Sequence, residues 1–391
     1  MTAMTGPYIG VINAGSSSIK FALFSGDDSL LNGQIEGIGI RPAMRVAGPA
    51  SERLPPLDLH SAAPATSGEA VPLLLSWLRE HLRDYKIAAI GHRVVHGGTR
   101  FTMPTRINGQ VINELEALIP LAPLHQPHNV GPMKSILKAH PDLPQVACFD
   151  TAFHRTNPDI AQAFALPIQL RDEGVRRYGF HGLSYEYIAS VLPKVAPDIA
   201  SGRVIVMHLG NGASACAIRS RESVASTMGF SALDGLPMGT RCGELDAAVV
   251  LHLIMQRGMS PHDVEELLYK KSGMLGLSGI SADFRDLLGS RDARAQFAIE
   301  VFCYRVARHI GSLAAALGGV DALVFTAGVG EHAAPIRAMI CGLCSWLGVR
   351  LDEAANDGHG PCISIAGSRI QAWVIPTDEE LMIARHTRTL L

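Results

Sequence analysis

No stretch of this 391-residue chain is apolar for long enough to cross a bilayer, which takes about 18–20 residues. The densest apolar run, Ala247 to Met255, is nine residues long and contains His252. Charge is also scarce: 18% of residues are charged, against about 25% in an average soluble domain. Acidic and basic side chains nearly cancel, 36 against 34, leaving a net charge of −2. Nothing in that balance draws the chain to nucleic acid or an anionic membrane. The seven cysteines are odd in number and too sparse for a disulfide framework. Lysine is rare, 7 residues beside 27 Arg, a ratio that genome composition explains as readily as anion binding. The opening segment, residues 1–7, has neither a charged n-region nor an apolar h-region. We therefore expect no secretory signal and a cytoplasmic location.

Hydrophobic residues, by contrast, make up 47% of the chain. The length favours two domains, each able to bury a core. An apolar run from Tyr8 to Ile12, a turn over Asn13–Ser18 and a second run from Ile19 to Phe24 predict a β-hairpin. Six prolines between Pro42 and Pro72 predict an irregular excursion, with a helix following over Leu73–Leu82. Strands are expected over Ile87–Ile90, Gln145–Phe149, Val204–Met207, Ala213–Ile218, Ala322–Phe325 and Trp373–Ile375. The spacing of Ile299, Phe302, Val306, Ile310, Leu313 and Leu317 marks one face of a long helix that stops at Gly318-Gly319. Strands alternating with helices make the class α/β. The turn glycines Gly15 and Gly212 lie 212 − 15 = 197 residues apart, about half the chain, which suggests two related halves.

Three strands run into glycine-rich turns, at Asn13–Ser18, His208–Gly212 and Gly328–His332. Such turns let backbone N–H groups surround a phosphate, though each alone is also an ordinary tight turn. The third fits the G-x-G-x-x-[G/A] dinucleotide fingerprint, which leaves an NAD-dependent enzyme as an alternative. Arg93 and Arg241 sit in glycine-framed loops, suited to bidentate capture of a carboxylate or phosphate, or to pairing with a structural acid. Asn13, Asp150 and Glu379 each follow an apolar run and offer the oxygen ligands that Mg2+ prefers. His92 and His96 are four apart, but no Glu follows His92, so the zincin motif is absent. His181, between Phe180 and Gly182, suits a donor aimed at a ligand. The Cys341/Cys344 pair has no partner pair and reads as a packed helix face.

Taken together, these blocks are specific. Val11-Ile-Asn-Ala-Gly-Ser-Ser-Ser-Ile-Lys-Phe21 closely resembles the N-terminal signature of acetate kinases. So do Gly91–Gly98, Phe149–His154, Tyr178–Gly182, His208–Ser214, Met238–Gly243, Ser272–Gly276, Asp283–Asp286 and Pro376–Glu380, in the family's order. The resemblance implies two actin-like (ribonuclease H-like) halves, each a mixed sheet flanked by helices, with the active site in the interdomain cleft. The halves would be residues 1–150 plus about 380–391, and residues 151–379. It implies a homodimer, with no nucleic-acid or membrane partner, that transfers phosphate reversibly between ATP and acetate to give ADP and acetyl phosphate.

By position, Asn13 and Glu379 would hold Mg2+, with Mn2+ as the alternative, and Arg93 the substrate carboxylate. Asp150, His181 and Arg241 would serve the transferring phosphoryl group. Acetate carries no proton at neutral pH, so Asp150 is expected to orient Arg93, Arg241 or metal-bound water rather than act as an obligatory base. Lys20, the run His208, Leu209, Gly210, Asn211 and Gly212, the run Asp283, Phe284 and Arg285, and the run Gly328, Val329, Gly330, Glu331 and His332 would hold the nucleotide. Val95, Leu124, Phe180 and Ala232 would wall the acyl pocket. The chain departs from the usual pattern at Leu183, Tyr185 and His332, where Thr, His and Asn are common, and at Ala232, where proline is. The smaller Ala232 makes propionate, or butyrate, the alternative substrate.

Overall fold

The computed structural model describes residues 7–59, 61–82 and 86–391. Most of the opening segment expected to carry no leader (residues 1–6) lies outside the described residues, as does His60 in the proline-rich stretch. Two compact units result: residues 1–152 with 378–391, and residues 153–377. No helix among the described residues is long and apolar enough to cross a membrane.

Unit one is a seven-stranded mixed sheet. Its strands are β1 (Tyr8–Ala14), β2 (Ser18–Ser25), β3 (Asp28–Glu36), β4 (Ala43–Ala47), β5 (Ile87–Val94), β6 (Thr105–Arg106) and β7 (Gln145–Phe149). The spatial order is β4-β3-β2-β1-β5-β7-β6. The hairpin at the start forms as expected, with Ile12 opposite Phe21 and Asn13 opposite Lys20. Beyond it β5 runs parallel to β1, and β7 parallel to β5. Helices α1 (Ser67–His81) and α2 (Gln126–Ala139) pack together, crossing where Gly68 lies against Gly131.

The proline-rich stretch is more regular than its composition suggests. It contains β4, and α1 starts six residues before Leu73, with Pro72 inside it. A cap explains the early start: Thr66 accepts from the Glu69 N–H, and Glu69 Oε2 accepts from the Ala65 N–H at 2.9 Å.

Unit two repeats the plan. Strands β8 (Arg203–Leu209), β9 (Ala213–Arg219), β10 (Glu222–Ser226), β11 (Ala322–Thr326) and β12 (Gln371–Val374) stand in the order β10-β9-β8-β11-β12. As in unit one, an antiparallel meander, here of three strands rather than four, is followed by two parallel ones. The Gly15 and Gly212 turns therefore occupy equivalent hairpins. Helix α3 (Gly182–Val195) precedes the sheet. Helix α4 (Ala293–Leu317) buries all six residues of its expected face, partly against β9, and stops at Gly318, whose φ is 69°. The third glycine-rich segment is not an open turn: residues Ala327–His332 form a short helix, α5. Glu331 Oε1 accepts from the Ala327 N–H at 2.8 Å, satisfying an N-terminal donor that glycine composition does not reveal.

The helix Glu379–Thr389 returns the chain to unit one and lies on β1 and β5. It lies so close that a Cβ on Gly91 would stand 2.3 Å from Thr387 Oγ1 and 2.5 Å from Ile383 Cγ2. Gly91→Ala should thus lower the thermal unfolding midpoint, by about 1–3 kcal/mol of overpacking. Circular dichroism melts check this, and an unchanged midpoint would contradict the close packing.

Candidate functional site

In unit one, Asn13 and Arg93 are the penultimate residues of β1 and β5, and Asp150 directly follows β7. Parallel strands thus deliver all three to the same edge of the sheet, the edge where α/β proteins bind ligands. Asn129 ties this edge together. Its Oδ1 accepts from the Val95 N–H at 2.9 Å and its Nδ2 donates to Ala14 O at 2.8 Å. Ser67 of α1 donates to Gly15 O and fixes the first glycine turn.

Arg93 and Asp150 form a bidentate pair: Nε donates to Oδ1 at 2.9 Å and Nη2 to Oδ2 at 2.6 Å. The Asp150 side chain is 2% exposed and that of Arg93 21%. Because Asp150 takes the side fork of the guanidinium, Nη1 and the second Nη2 hydrogen form the remaining bidentate edge. Asn13 Oδ1 lies 3.5 Å from Nη1. Burial alone would lower the Arg93 pKa, but the charges of Asp150 and Glu379 outweigh it, and the guanidinium stays firmly protonated.

Glu379 Oε2 lies 3.9 Å from Arg93 Nε. Burial pushes its pKa up to about 7; Arg93 opposes that, while Asp150 and Glu380 add to it. Glu379 and the Asn13 amide oxygen offer oxygen donors only. Such donors fit a hard divalent cation bound through one or two protein ligands. Among the described residues no group of three or more His, Cys, Asp or Glu forms a fuller metal cage.

In unit two a second cluster forms around the β8–β9 turn. His181 caps α3 in a left-handed conformation, φ 57°. Its ring stacks on that of His208, with centroids 4.2 Å apart. Arg241 donates through Nη1 to Ala232 O at 2.7 Å. Arg241 Nη2 and His181 Nε2 lie 3.0 and 3.2 Å from the point where a Cβ on Gly212 would stand. A side chain there would fill the space they face. Asn211 O accepts from the Gly239 N–H at 3.1 Å, linking the turn to the Arg241 loop. Leu209 is buried, and Gly210 closes the turn by donating to Gly212 O.

Asp283 caps the helix that begins with Phe284. It is held down at about 2 by hydrogen bonds from Arg285, whose guanidinium is exposed. In α5, Gly328, Val329 and Gly330 are helical rather than looped, and Glu331 accepts additionally from the Thr377 N–H at 3.2 Å. The His332 side chain points to solvent. Val95 is buried and Leu124 half-buried in unit one; Phe180 is buried and Ala232 half-buried in unit two.

Sequence reasoning missed Arg337. It is fully buried, and all five N–H groups find acceptors. Nη1 donates to Gly330 O and Glu331 O, Nε and Nη2 to Asn356, and Nη2 also to His359 Nδ1. It closes the C-terminal end of α5 as Glu331 closes the other. Backbone carbonyls leave no mark in residue types, so no motif signals this role.

A match to the family model described as "Acetokinase family" spans residues 8–385. The chain belongs to the acetokinase family. Among its relatives, "Acetate kinase" of Nitrobacter hamburgensis is 54% identical, over 97% of this chain and 95% of that one. The crystal structure of Porphyromonas gingivalis acetate kinase superimposes with a TM-score of 0.88 at 37% identity, covering 98% of this chain and 100% of that one. A propionate kinase from Francisella tularensis superimposes with a TM-score of 0.90 at 36% identity, covering 99% and 100%. Acetokinase family membership makes the chain a phosphotransferase with a carboxyl acceptor. It sets aside the NAD reading.

His92, His96 and His154, outside these clusters, are buried. His92 Nε2 meets Gln145 Oε1 at 2.9 Å, and burial lowers His92, His96 and His154 to about 4. Cys341 and Cys344 are buried thiols, pushed up to about 12 and about 11 by burial, and no disulfide forms. The three histidines stay neutral in the fold, whereas the unfolded chain takes up protons near 6.5. Their contribution to stability is therefore complete above 6.5 and is lost as pH falls toward 4. Urea midpoints measured from pH 7 to 4.5 should fall progressively; a flat profile would contradict the neutral, buried histidines.

Proposed function

We propose that the chain is an acetate kinase, transferring the γ-phosphoryl group of ATP directly to acetate to give acetyl phosphate and ADP, reversibly. The single observation that carries the reading is the Arg93–Asp150 pair, which leaves one bidentate guanidinium edge beside Asn13. A carboxylate acceptor occupies that edge. A neutral alcohol acceptor has no second oxygen to use it.

Both substrates are anions, so the enzyme's task is to hold them in line and neutralise charge on the transferring group. Asp150 holds the Arg93 fork in one orientation and is not the base, because acetate needs none. Asn13 and Glu379 would hold Mg2+, which when bound neutralises phosphoryl oxygens. Arg241 and His181 donate to those oxygens at Gly212. Lys20 and the segments His208–Gly212, Asp283–Arg285 and Gly328–His332 serve the nucleotide. Val95, Leu124, Phe180 and Ala232 wall the acyl group. Use of ATP and seven cysteines outside any disulfide favour the cytoplasm.

A homodimer accounts for the helix Ala247–Met255, none of whose nine residues is buried, with Leu251 and Met255 57% and 70% exposed. A second copy of the chain covers this apolar face. Light scattering after gel filtration should give twice the 41.7 kDa chain mass, and a monomer would remove the proposal.

Trapping acyl phosphate as a hydroxamate, with ATP, Mg2+ and a panel of acetate, propionate and butyrate, tests the activity. Acetate should be preferred, with propionate kcat/KM lower by less than about a thousandfold, since one methylene costs only about 1–3 kcal/mol. Absence of any hydroxamate would refute the reading. Arg93→Ala should chiefly raise the acetate KM. Arg241→Ala should lower kcat by about 10²–10³-fold while acetate KM moves less. Steady-state kinetics of the two variants distinguish these roles.

A further inference from the structure

A neutral imidazole has one proton for two nitrogens. Which nitrogen carries it decides whether His181 Nε2 offers a proton or a lone pair to an anion at Gly212. We propose that Tyr185, acting through Ser214, fixes His181 in the form protonated at Nε2, making Tyr185 a positioning residue for phosphoryl transfer. This rests on the role given to His181 in the proposed reaction.

Tyr185 follows His181 by four residues, one turn along α3 and on the same face. Between them stands Ser214, the second residue of β9, fully buried. Its Oγ lies 2.7 Å from His181 Nδ1 and 2.5 Å from the Tyr185 hydroxyl. A serine hydroxyl has one proton and two lone pairs; His181 Nδ1 and the Tyr185 hydroxyl are its hydrogen-bond partners among the described residues, so its proton goes to one and it accepts from the other. The phenol is the more acidic of the two hydroxyls. Tyr185 therefore donates to Ser214, and Ser214 donates to Nδ1. With Nδ1 an acceptor, the ring proton resides on Nε2, the nitrogen beside Arg241 Nη2.

The parts of this relay are held in place. The Tyr185 ring is fully buried and meets the edge of His154, with centroids 5.6 Å apart and planes at 70°. His154 Nε2 in turn donates to Phe180 O at 2.9 Å, and a carbonyl can only accept. His154 thus anchors the residue before His181. His208, stacked on His181, meets Ser184 Oγ through its own Nδ1 at 2.9 Å, and Ser184 meets Thr377. The stack resists tilting of the His181 ring.

Tyr185→Phe removes only the phenolic oxygen. It should lower kcat about tenfold with KM for acetate and ATP within about twofold of wild type, the signature of a group that acts through a transition-state donor. The thermal midpoint should change little. In 15N-histidine-labelled enzyme, NMR should show His181 protonated at Nε2 and bare at Nδ1, and in Tyr185→Phe a mixture of the two forms. Wild-type kcat in Tyr185→Phe, alongside an inactive His181→Ala, would overturn the relay while leaving the site assignment intact. Full activity in His181→Ala would overturn the role of His181 and the relay with it. Should Tyr185→Phe fail to fold, the wild-type spectrum decides: a proton on His181 Nδ1 overturns the proposal.

Discussion

The pairing of Arg93 with Asp150 is the constraint on which the unit-one site depends. A guanidinium can rotate and offer any of its edges. Buried against a carboxylate that engages Nε and Nη2 together, it offers only one. That single edge faces Asn13, and the charge of the pair sets the electrostatics around Glu379. A buried ion pair is weak evidence for stability, and here its value lies in orientation. The same acid that would be a general base in an alcohol kinase becomes, for an acceptor already ionised, the clamp on an arginine.

Unit two meets a similar demand with neutral groups. His181 and His208 are each anchored through Nδ1 to a serine hydroxyl, and each serine is backed by a further hydroxyl. Arg241 donates to the backbone carbonyl of Ala232. The two units thus share a strand order but hold their side chains differently: one through an ion pair, the other through hydroxyls and a backbone carbonyl.

Much of this was legible in the residues. The buried strands β1, β7, β8 and β11 announce themselves as apolar runs, because both faces of a central strand are covered. Helix α4 shows its 3.6-residue period over its buried face. The polar residues at strand ends, Asn13, Asp150 and Arg93, follow from where those runs stop. Elsewhere composition misled. Prolines concealed β4 and the start of α1, because the Thr66–Glu69 cap outweighs a proline placed within the helix. Glycines suggested a turn where Glu331 and Arg337 close both ends of α5. Asn129, Ser214 and Arg337 left no trace, since what they hold is backbone or a single ring nitrogen. The resemblance of the motifs to one family supplied roles for residues whose physical reading alone left two possibilities open.

Unit one is assembled from two distant pieces of chain, residues 1–152 and 378–391. A ribosome releases the chain from its N-terminus, so the sheet of unit one emerges long before the helix that covers β1 and β5 and carries Glu379. Until that last segment arrives, the Gly91 face of the sheet lacks its cover and the Arg93–Asp150 pair lacks its neighbouring acid. Unit two is synthesised in the interval. The chain therefore cannot finish its first unit before its second has been made, and a nascent or C-terminally shortened chain has no complete unit-one site. Synthesis of residues 378–391 is the event that assembles it.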